Sequence, residues 1–258
     1  MKTPPLISII TPSYNQAEFI EATLQSVLQQ RYPHIEYIVV DGLSTDGTTS
    51  ILEKYRHQLS HLIIEKDKGQ TDAINKGFKL AKGELVGWIN SDDILYEDCV
   101  ERIVQLYEQH KEQGVIFYNN VNDMLDRAGN VTQTYNKTIP NRAYLLNDNY
   151  ALIQQGSFYK RSIVEKVGYL NDRIQYCMDL DLWLKLLQHG SIHYLNIDKP
   201  TAGFRRWEAA KTSTGGIQFL NDIQNVLQQN KYNRFSRNAS RLYIQKLKFQ
   251  IKKHLHVS

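Results

Sequence analysis

Leu85-Val86-Gly87-Trp88-Ile89-Asn90-Ser91-Asp92-Asp93 sets an apolar run directly against an acidic cluster. A short apolar run that stops so abruptly reads as a buried strand delivering its last residues to a site. Asp and Asn also make turns by bonding the local backbone, and for this stretch alone a strand-to-loop turn is the simpler reading. Three earlier runs change that balance. Leu6-Ile7-Ser8-Ile9-Ile10-Thr11 stops at Pro12-Ser13-Tyr14-Asn15, Tyr37-Ile38-Val39-Val40 stops at Asp41-Gly42, and His61-Leu62-Ile63-Ile64 stops at Glu65-Lys66-Asp67-Lys68-Gly69. Between them, Ile20, Leu24 and Val27 lie at helical spacing. The cap-type residues Ser44-Thr45-Asp46-Gly47 open a helix through Ile51 and Tyr55, and Ile74, Phe78 and Ala81 share one face. Four β-then-α alternations predict an α/β fold: a doubly wound, mostly parallel sheet flanked by helices, with right-handed crossovers.

In open α/β sheets the ligand sits beyond the carboxyl ends of the strands. Here those ends hold Thr11, Asp41, Asp67 and the Asn90 to Asp93 cluster, so three of the four supply carboxylates. Clustered acids tolerate one another when something positive lies between them, and oxygen ligands favour a hard cation, Mg²⁺ or Mn²⁺. Such a cation often arrives with a polyphosphate. No Gly-x-x-x-x-Gly-Lys loop and no Gly-x-Gly-x-x-Gly turn follows the first strand, which argues against a P-loop NTPase and a dinucleotide-binding domain.

The chain has 258 residues, 41% hydrophobic and 10% aromatic, ordinary for a protein with a substantial core. Met1-Lys2-Thr3-Pro4-Pro5 leads straight into a strand and no apolar stretch is long enough to span a bilayer, so a cytoplasmic protein without secretion signal or membrane span is expected. Cys99 and Cys177 are then expected to stay reduced, and three matches to the glycosylation pattern, at Asn130, Asn136 and Asn238, carry no meaning. The net charge of +4 hides an asymmetry: residues 230–258 contain eight Lys or Arg and no Asp or Glu, leaving the preceding body net acidic. No nucleic-acid partner is expected.

Ser8-Ile9-Ile10-Thr11-Pro12-Ser13-Tyr14-Asn15, Val39-Val40-Asp41-Gly42-x-Ser44-Thr45-Asp46-Gly47-Thr48, Asp67-x-Gly69-Gln70-x-Asp72-Ala73-x-Asn75-Lys76-Gly77 and Trp88-x-Asn90-Ser91-Asp92-Asp93 resemble glycosyltransferase family 2, the inverting GT-A enzymes that use nucleotide sugars. The likeness continues through Gln155-x-x-Phe158-x-x-Arg161 and Gly168 to Asp179-x-Asp181-Leu182-Trp183-Leu184, covering roughly residues 6 to 212. A single motif is weak; the set in order and spacing is strong.

The resemblance implies a role for each matching position. Thr11, Pro12 and Tyr14 match the loop around base and ribose, Asp41 the acid that bonds the base, and Asp72 an acid close to the nucleoside. Asn90, Ser91 and Asp92 match the Asp-x-Asp motif. With Asn in first place, Asn90 and Ser91 fall to the nucleotide, and Asp92, with Asp93 beside it, to the Mn²⁺ or Mg²⁺ on the diphosphate. Asp179 matches the catalytic base, with a helix N-cap as its alternative. Asp181 reads as structural, paired with Lys185, and Trp183 as core. In Phe204-Arg205-Arg206-Trp207-Glu208-x-x-Lys211-Thr212, Trp207 stands where the family commonly has a diphosphate-binding His, so Arg205, Arg206 or Lys211 is expected to supply that charge.

The expected organisation is a GT-A domain over residues 1–214, nucleotide-binding to about 113 and acceptor-binding from 114, followed by a helical, basic C-terminal extension over 215–258. Val115 to Tyr118 and Val131 to Tyr135 read as further strands, the second on a mixed edge. Asn141 to Ile153, with Tyr144, Leu145, Leu146 and Tyr150, is expected near the acceptor cleft. Ile217, Leu220, Ile223 and Leu227 suggest a helix packed on the body, whereas Leu247, Phe249 and Ile251 alternate with polar residues and leave helix and strand both open. The expected activity is metal-dependent inverting transfer of a sugar from a nucleoside-diphosphate sugar to a glycan or lipid-linked acceptor in bacterial surface polysaccharide synthesis. The basic stretch 230–258 would meet anionic lipid at the inner membrane face, a solvated basic helix being the alternative. A nucleotide-sugar-binding module without catalysis and a nucleotidyltransferase are the competing readings.

Overall fold

The computed structural model describes residues 3–208 and 210–255, with the side chains of 212, 213 and 252–255 outside the description. Part of the basic-tail reading, at Lys252, Lys253 and residues 256–258, therefore lies outside the described residues.

The four apolar runs form β1 (Ile7–Ser13), β2 (Ile35–Asp41), β3 (His61–Ile64) and β4 (Leu85–Trp88), each extending to within a residue or two of its expected ends. Helices α1 (Ile20–Leu28), α2 (Thr48–Tyr55) and α3 (Gln70–Leu80) connect them. After a two-residue β5 (Ile94–Leu95) and α4 (Cys99–His110) come β6 (Gly114–Asn119), β7 (Val121–Leu125), β8 (Val131–Asn136), α5 (Arg142–Asn147), β9 (Phe158–Lys160), α6 (Arg161–Lys166) and α7 (Met178–Leu186). The chain closes with β10 (Ser191–Leu195), β11 (Ala202–Arg205), α8 (Lys211–Thr214), α9 (Gly216–Gln229) and α10 (Arg237–Leu255).

A seven-stranded sheet runs β10-β6-β9-β4-β1-β2-β3. It is parallel except at β9, which is antiparallel to both β4 and β6. The chain winds outward from β1 through β2 to β3 and then returns to β4 on the other side of β1, so the winding reverses at β1, where a crevice opens beyond the strand ends. Strand alternation builds a core on each face. Ile9, Tyr37, Val39 and Leu85 pack with α1, α2 and α4, whereas Ile10, Ile38, Val40 and Val86 pack with α3 and α7. A strand buried on both faces reads as an unbroken apolar run, which is why β1, β2 and β4 were legible, while the half-buried edge strand β3 still carries Leu62-Ile63-Ile64.

A second sheet of four short strands, β5-β11-β7-β8, has β8 at its edge, as the alternation in Val131 to Tyr135 suggested, and β8 is largely exposed. In the tail the open choice resolves to helix. Helices α9 and α10 send Ile223, Val226, Leu227 and Leu242 into the same core as α3 and α7. Trp183 is fully buried and donates from Nε1 to the Tyr159 hydroxyl at 3.0 Å. Asp181, also buried, pairs with Lys185 at 2.7 Å one helical turn on. Both cysteines are free and buried.

Candidate active site

The crevice beyond β1 and β4 holds a cavity of about 650 Å³, ample for a nucleotide sugar. Pro12, Ser13 and Tyr14 from the end of β1 form one wall, Asn90, Ser91 and Asp92 from the end of β4 another, and Phe204, Arg205, Trp207, Ala210 and Lys211 close it. A smaller cavity of about 170 Å³ carries Asp179 among its lining residues, with Trp88, Leu152, Ile153 and Tyr176. Gln70, Asn90, Phe204 and Lys211 line both, so the two cavities adjoin.

Side-chain hydrogen bonds shape the first wall. Asn15 takes a left-handed conformation (φ 50°), which Asn tolerates better than most residues, and accepts from the Thr45 amide at 2.9 Å through Oδ1. The amides of Asn15, Gln16 and Ala17 in turn donate to Ser44 Oγ, Thr48 Oγ1 and Asp46 Oδ2 at 2.8, 2.8 and 3.0 Å. The loops after β1 and β2 are thus stitched into one rim. Within it, Ser13 Oγ and Gln16 Oε1 are buried with no protein partner among the described residues, and both residues line the cavity. An unpaired buried polar atom is costly unless a ligand or water satisfies it. Sequence reading passed over both because neither type signals a site by itself.

Several expected nucleotide contacts lie elsewhere. Thr11 is fully buried and its Oγ1 meets the Tyr37 hydroxyl at 3.0 Å inside the core, two residues short of the strand end where Ser13, on the same face, reaches the cavity. Asp41 is also fully buried. Its carboxylate accepts from the Ser44 amide at 2.8 Å and the Ser44 hydroxyl at 2.7 Å, shaping the turn behind the rim. Asp72 accepts from the Lys68 amide at 3.1 Å and faces Lys76 at 3.5 Å, outside both cavity linings. Asp67, by contrast, lines the cavity beside Gly42, where an added Cβ would sit 2.6 Å from its Oδ2.

The acidic cluster divides sharply. Asp93, expected beside the metal, is fully buried and lines neither cavity, and its two oxygens accept from the Arg205 amide at 2.8 Å, Gln155 Nε2 at 2.7 Å and Asn90 Nδ2 at 3.0 Å. Burial, and then the neighbouring Asp92 charge, push its pKa up to about 8 against those donors. Asp92 lines the cavity. Its Oδ2 accepts from Trp207 Nε1 at 3.0 Å, leaving Oδ1 without a side-chain partner among the described residues. Burial raises its pKa, opposed by the Trp207 hydrogen bond and the Arg205 charge. Trp207, in place of the expected His, packs its ring 5.0 Å from that of Phe19, with the Arg127 guanidinium 5.6 Å away.

The candidate cations separate as well. Arg205 is buried and lines the larger cavity, and its guanidinium donates to the backbone carbonyls of Asp92, Asp126 and Arg127, bracing the loop. Arg206 is exposed and lines neither cavity. Lys211 lines both and donates from Nζ to Gln70 Oε1 at 3.0 Å, while Gln70 Nε2 donates to Asn90 Oδ1 at 2.8 Å. Burial lowers the Lys211 pKa, resisted by the charges of Asp179 and Asp222. Gln70 lay inside a quoted motif, but its bridging position depends on two partners far away in sequence.

Asp179 is half-buried in the first turn of α7 and accepts from the Leu180 amide at 2.8 Å. Burial pushes its pKa up to about 6, opposed by that amide and by the charge of Lys211. Of the segment expected to bind acceptor, Leu145, Leu146 and Tyr150 are buried in the core, and only Leu152 and Ile153 reach the smaller cavity. Gln154 and Tyr176 line it as well, and Gln154 Oε1 is buried without a partner among the described residues.

Among the described residues no group of three or more His, Cys, Asp or Glu is placed to hold a metal. Magnesium-like cations, however, bind through one or two carboxylates together with substrate phosphates and water rather than in all-protein cages. Asp92, a hard oxygen donor facing a nucleotide-sized cavity, fits that mode.

The model of glycosyl transferase family 2 matches residues 8–168. Escherichia coli chondroitin synthase is 31% identical over 201 residues, 76% of this chain but only 28% of that protein's length. The crystal structure of S. aureus TarS in complex with UDP-GlcNAc superposes with a TM-score of 0.68 at 20% identity, covering 91% of this chain and 69% of that one. The mannosyltransferase PcManGT from Pyrobaculum calidifontis, in complex with GDP-Man and Mn²⁺, also superposes with a TM-score of 0.68, at 18% identity over 93% of this chain and 70% of that one. At such identities the likeness establishes the fold.

Proposed function

The chain belongs to glycosyltransferase family 2 and has the GT-A fold, and we propose that it moves a sugar from a nucleoside-diphosphate sugar to an acceptor hydroxyl, inverting the anomeric carbon. The observation that carries this reading is the adjacency of two cavities with different chemistry. The larger presents Asp92 and the polar rim, the smaller presents Asp179, and Lys211 stands where they meet.

The donor occupies the larger cavity, its base against Ser13, Tyr14 and Gln16, whose unpaired buried oxygens Ser13 Oγ and Gln16 Oε1 would then find partners. Asp92 would hold Mn²⁺ or Mg²⁺, a cation that offsets negative charge gathering on the leaving diphosphate when bound. The TarS complex with UDP-GlcNAc and the PcManGT complex with GDP-Man and Mn²⁺ support that donor class and cation. Lys211 Nζ supplies a fixed positive charge at the cavity junction, the kind of preorganised group that stabilises a developing anion. Gln70 holds it there through one hydrogen bond and orients Asn90 through another.

The acceptor occupies the smaller cavity, its hydroxyl proton passing to Asp179 as the oxygen attacks the anomeric carbon. A raised pKa strengthens a carboxylate as a base, and such a group contributes on the order of 10²–10⁴ in rate. Inversion is supported by Asp179 being the lone Asp or Glu lining the smaller cavity among the described residues. A retaining double displacement needs two carboxylates about 5 Å apart. The relationship to a chondroitin synthase supports a glycan as the acceptor.

A panel of UDP-, GDP- and dTDP-sugars with Mn²⁺ tests this reading. Release of nucleoside diphosphate with a product of opposite anomeric configuration supports it. Tight nucleotide binding without turnover would leave a binding module, and pyrophosphate release from a nucleoside triphosphate a nucleotidyltransferase.

A further inference from the structure

The last helix presents two unlike faces. On the inner one, Asn238, Leu242 and Lys246 follow at four-residue steps. Asn238 is fully buried and donates to the Leu145 carbonyl at 2.8 Å, Leu242 lies in the core, and Lys246 donates to Asn221 at 2.8 Å and to Gln224, both on α9. On the outer face, Tyr243, Leu247 and Ile251 repeat at the same step with Ile244 beside them. They are 71%, 44%, 49% and 49% exposed in that order. Just before the helix, Phe235 is 97% exposed. Burying a large apolar side chain is worth roughly 1.5–3 kcal/mol, so a stripe of this kind at the surface is a docking face in want of a partner.

Charge selects the partner. Lys248 on the helix and Arg234 beside Phe235 are exposed, Lys231 is exposed in the turn ahead of them, Arg237 is exposed with Asp148 3.6 Å away, and residues 230–258 contain no acid. A second copy of the same face would set cation against cation. No helix among the described residues is long and apolar enough to cross a membrane, so the helix would lie along a bilayer rather than enter it. We propose that the outer face of α10, with Phe235 ahead of it, docks on an anionic lipid bilayer, apolar side chains at the acyl boundary and cations among the headgroups. This inference stands apart from the transfer reaction, since docking needs neither donor nor acceptor.

Flotation of the full chain with vesicles tests it, comparing phosphatidylcholine alone with phosphatidylcholine containing phosphatidylglycerol. Binding is expected to the second only, and to weaken with added salt. The double substitution Leu247→Gln/Ile251→Gln should lower it by at least about tenfold. Arg234→Gln and Lys248→Gln should each lower it about fivefold, equivalent to about 1 kcal/mol per cation. All four side chains are exposed, so melting temperatures should not change, and circular dichroism checks that each variant is folded. Three outcomes overturn the proposal: no binding to phosphatidylglycerol vesicles, binding that survives the double substitution, or a dimer seen by light scattering that the double substitution dissolves while vesicles are ignored.

Discussion

Asp179 is the residue on which the proposed chemistry turns, and its environment makes a pH prediction. Because only the ionised form accepts a proton and burial pushes the pKa up to about 6, transfer should fall as pH drops through about 6, one proton binding per lost base. A pH–rate profile of kcat/KM measures this; a flat acidic limb would remove the assignment. Lys211 makes a second. If Lys211, a half-buried cation at the cavity junction, meets the diphosphate as proposed, removing it loses a charge-assisted contact worth about 1.5–3 kcal/mol, so Lys211→Gln should weaken donor binding about ten- to a hundredfold, read by calorimetry. At this scale the sequence was legible where side chains project from strand ends, as with Pro12, Tyr14, Asn90 and Asp92. It was not legible where alternation or a local turn redirects a carboxylate. Asp92 and Asp93 are adjacent and chemically identical, yet only the first lines the cavity, because Gln155, Asn90 and the Arg205 amide claim the second.

At the scale of elements, close approach of α3 to β1 sets the wall behind the donor cavity. Gly77 permits it: an added Cβ would sit 2.5 Å from Ile10 Cγ2. Gly77→Ala should therefore destabilise the fold by about 1–3 kcal/mol, seen as a lower urea midpoint with unchanged slope. An unchanged midpoint would mean that the helix shifts freely. Strands β1 to β4 were legible as apolar runs and α1 to α3 from their helical spacing, whereas β10, Ser191–Leu195 with its interleaved polar residues, carries no such run. The second sheet was only partly legible. Strands β5 and β11 run for two and four residues and pair with partners far away in sequence, and β7, five residues long, forms a hairpin with β8 but takes its other partner, β11, from far along the chain, so no local period marks them. The antiparallel β9 is three residues long and inserts between β4 and β6, which no four-unit alternation anticipates.

Across the whole molecule the C-terminal helices bear on the site. Asp222 on α9 accepts from the Gln175 and Tyr176 amides at 3.1 and 3.2 Å, just ahead of Asp179, and Asn230 accepts from Arg142 Nη2 at 2.7 Å. Ile223, Val226, Leu227 and Leu242 together bury side chains worth roughly 6–12 kcal/mol at about 1.5–3 each, comparable with the whole stability of a domain, about 5–15 kcal/mol. We propose that residues 215–258 extend the catalytic unit rather than trail from it. A chain ending at Thr214 should lose its cooperative thermal transition, and an unchanged melting temperature would refute that. In the proposed reaction the donor is held in one cavity and the base waits in the next. The most direct test of this arrangement measures donor binding and transfer side by side for the native chain and Asp179→Asn. The predicted result is unchanged donor affinity with transfer reduced on the order of 10²–10⁴; transfer at the native rate would contradict it.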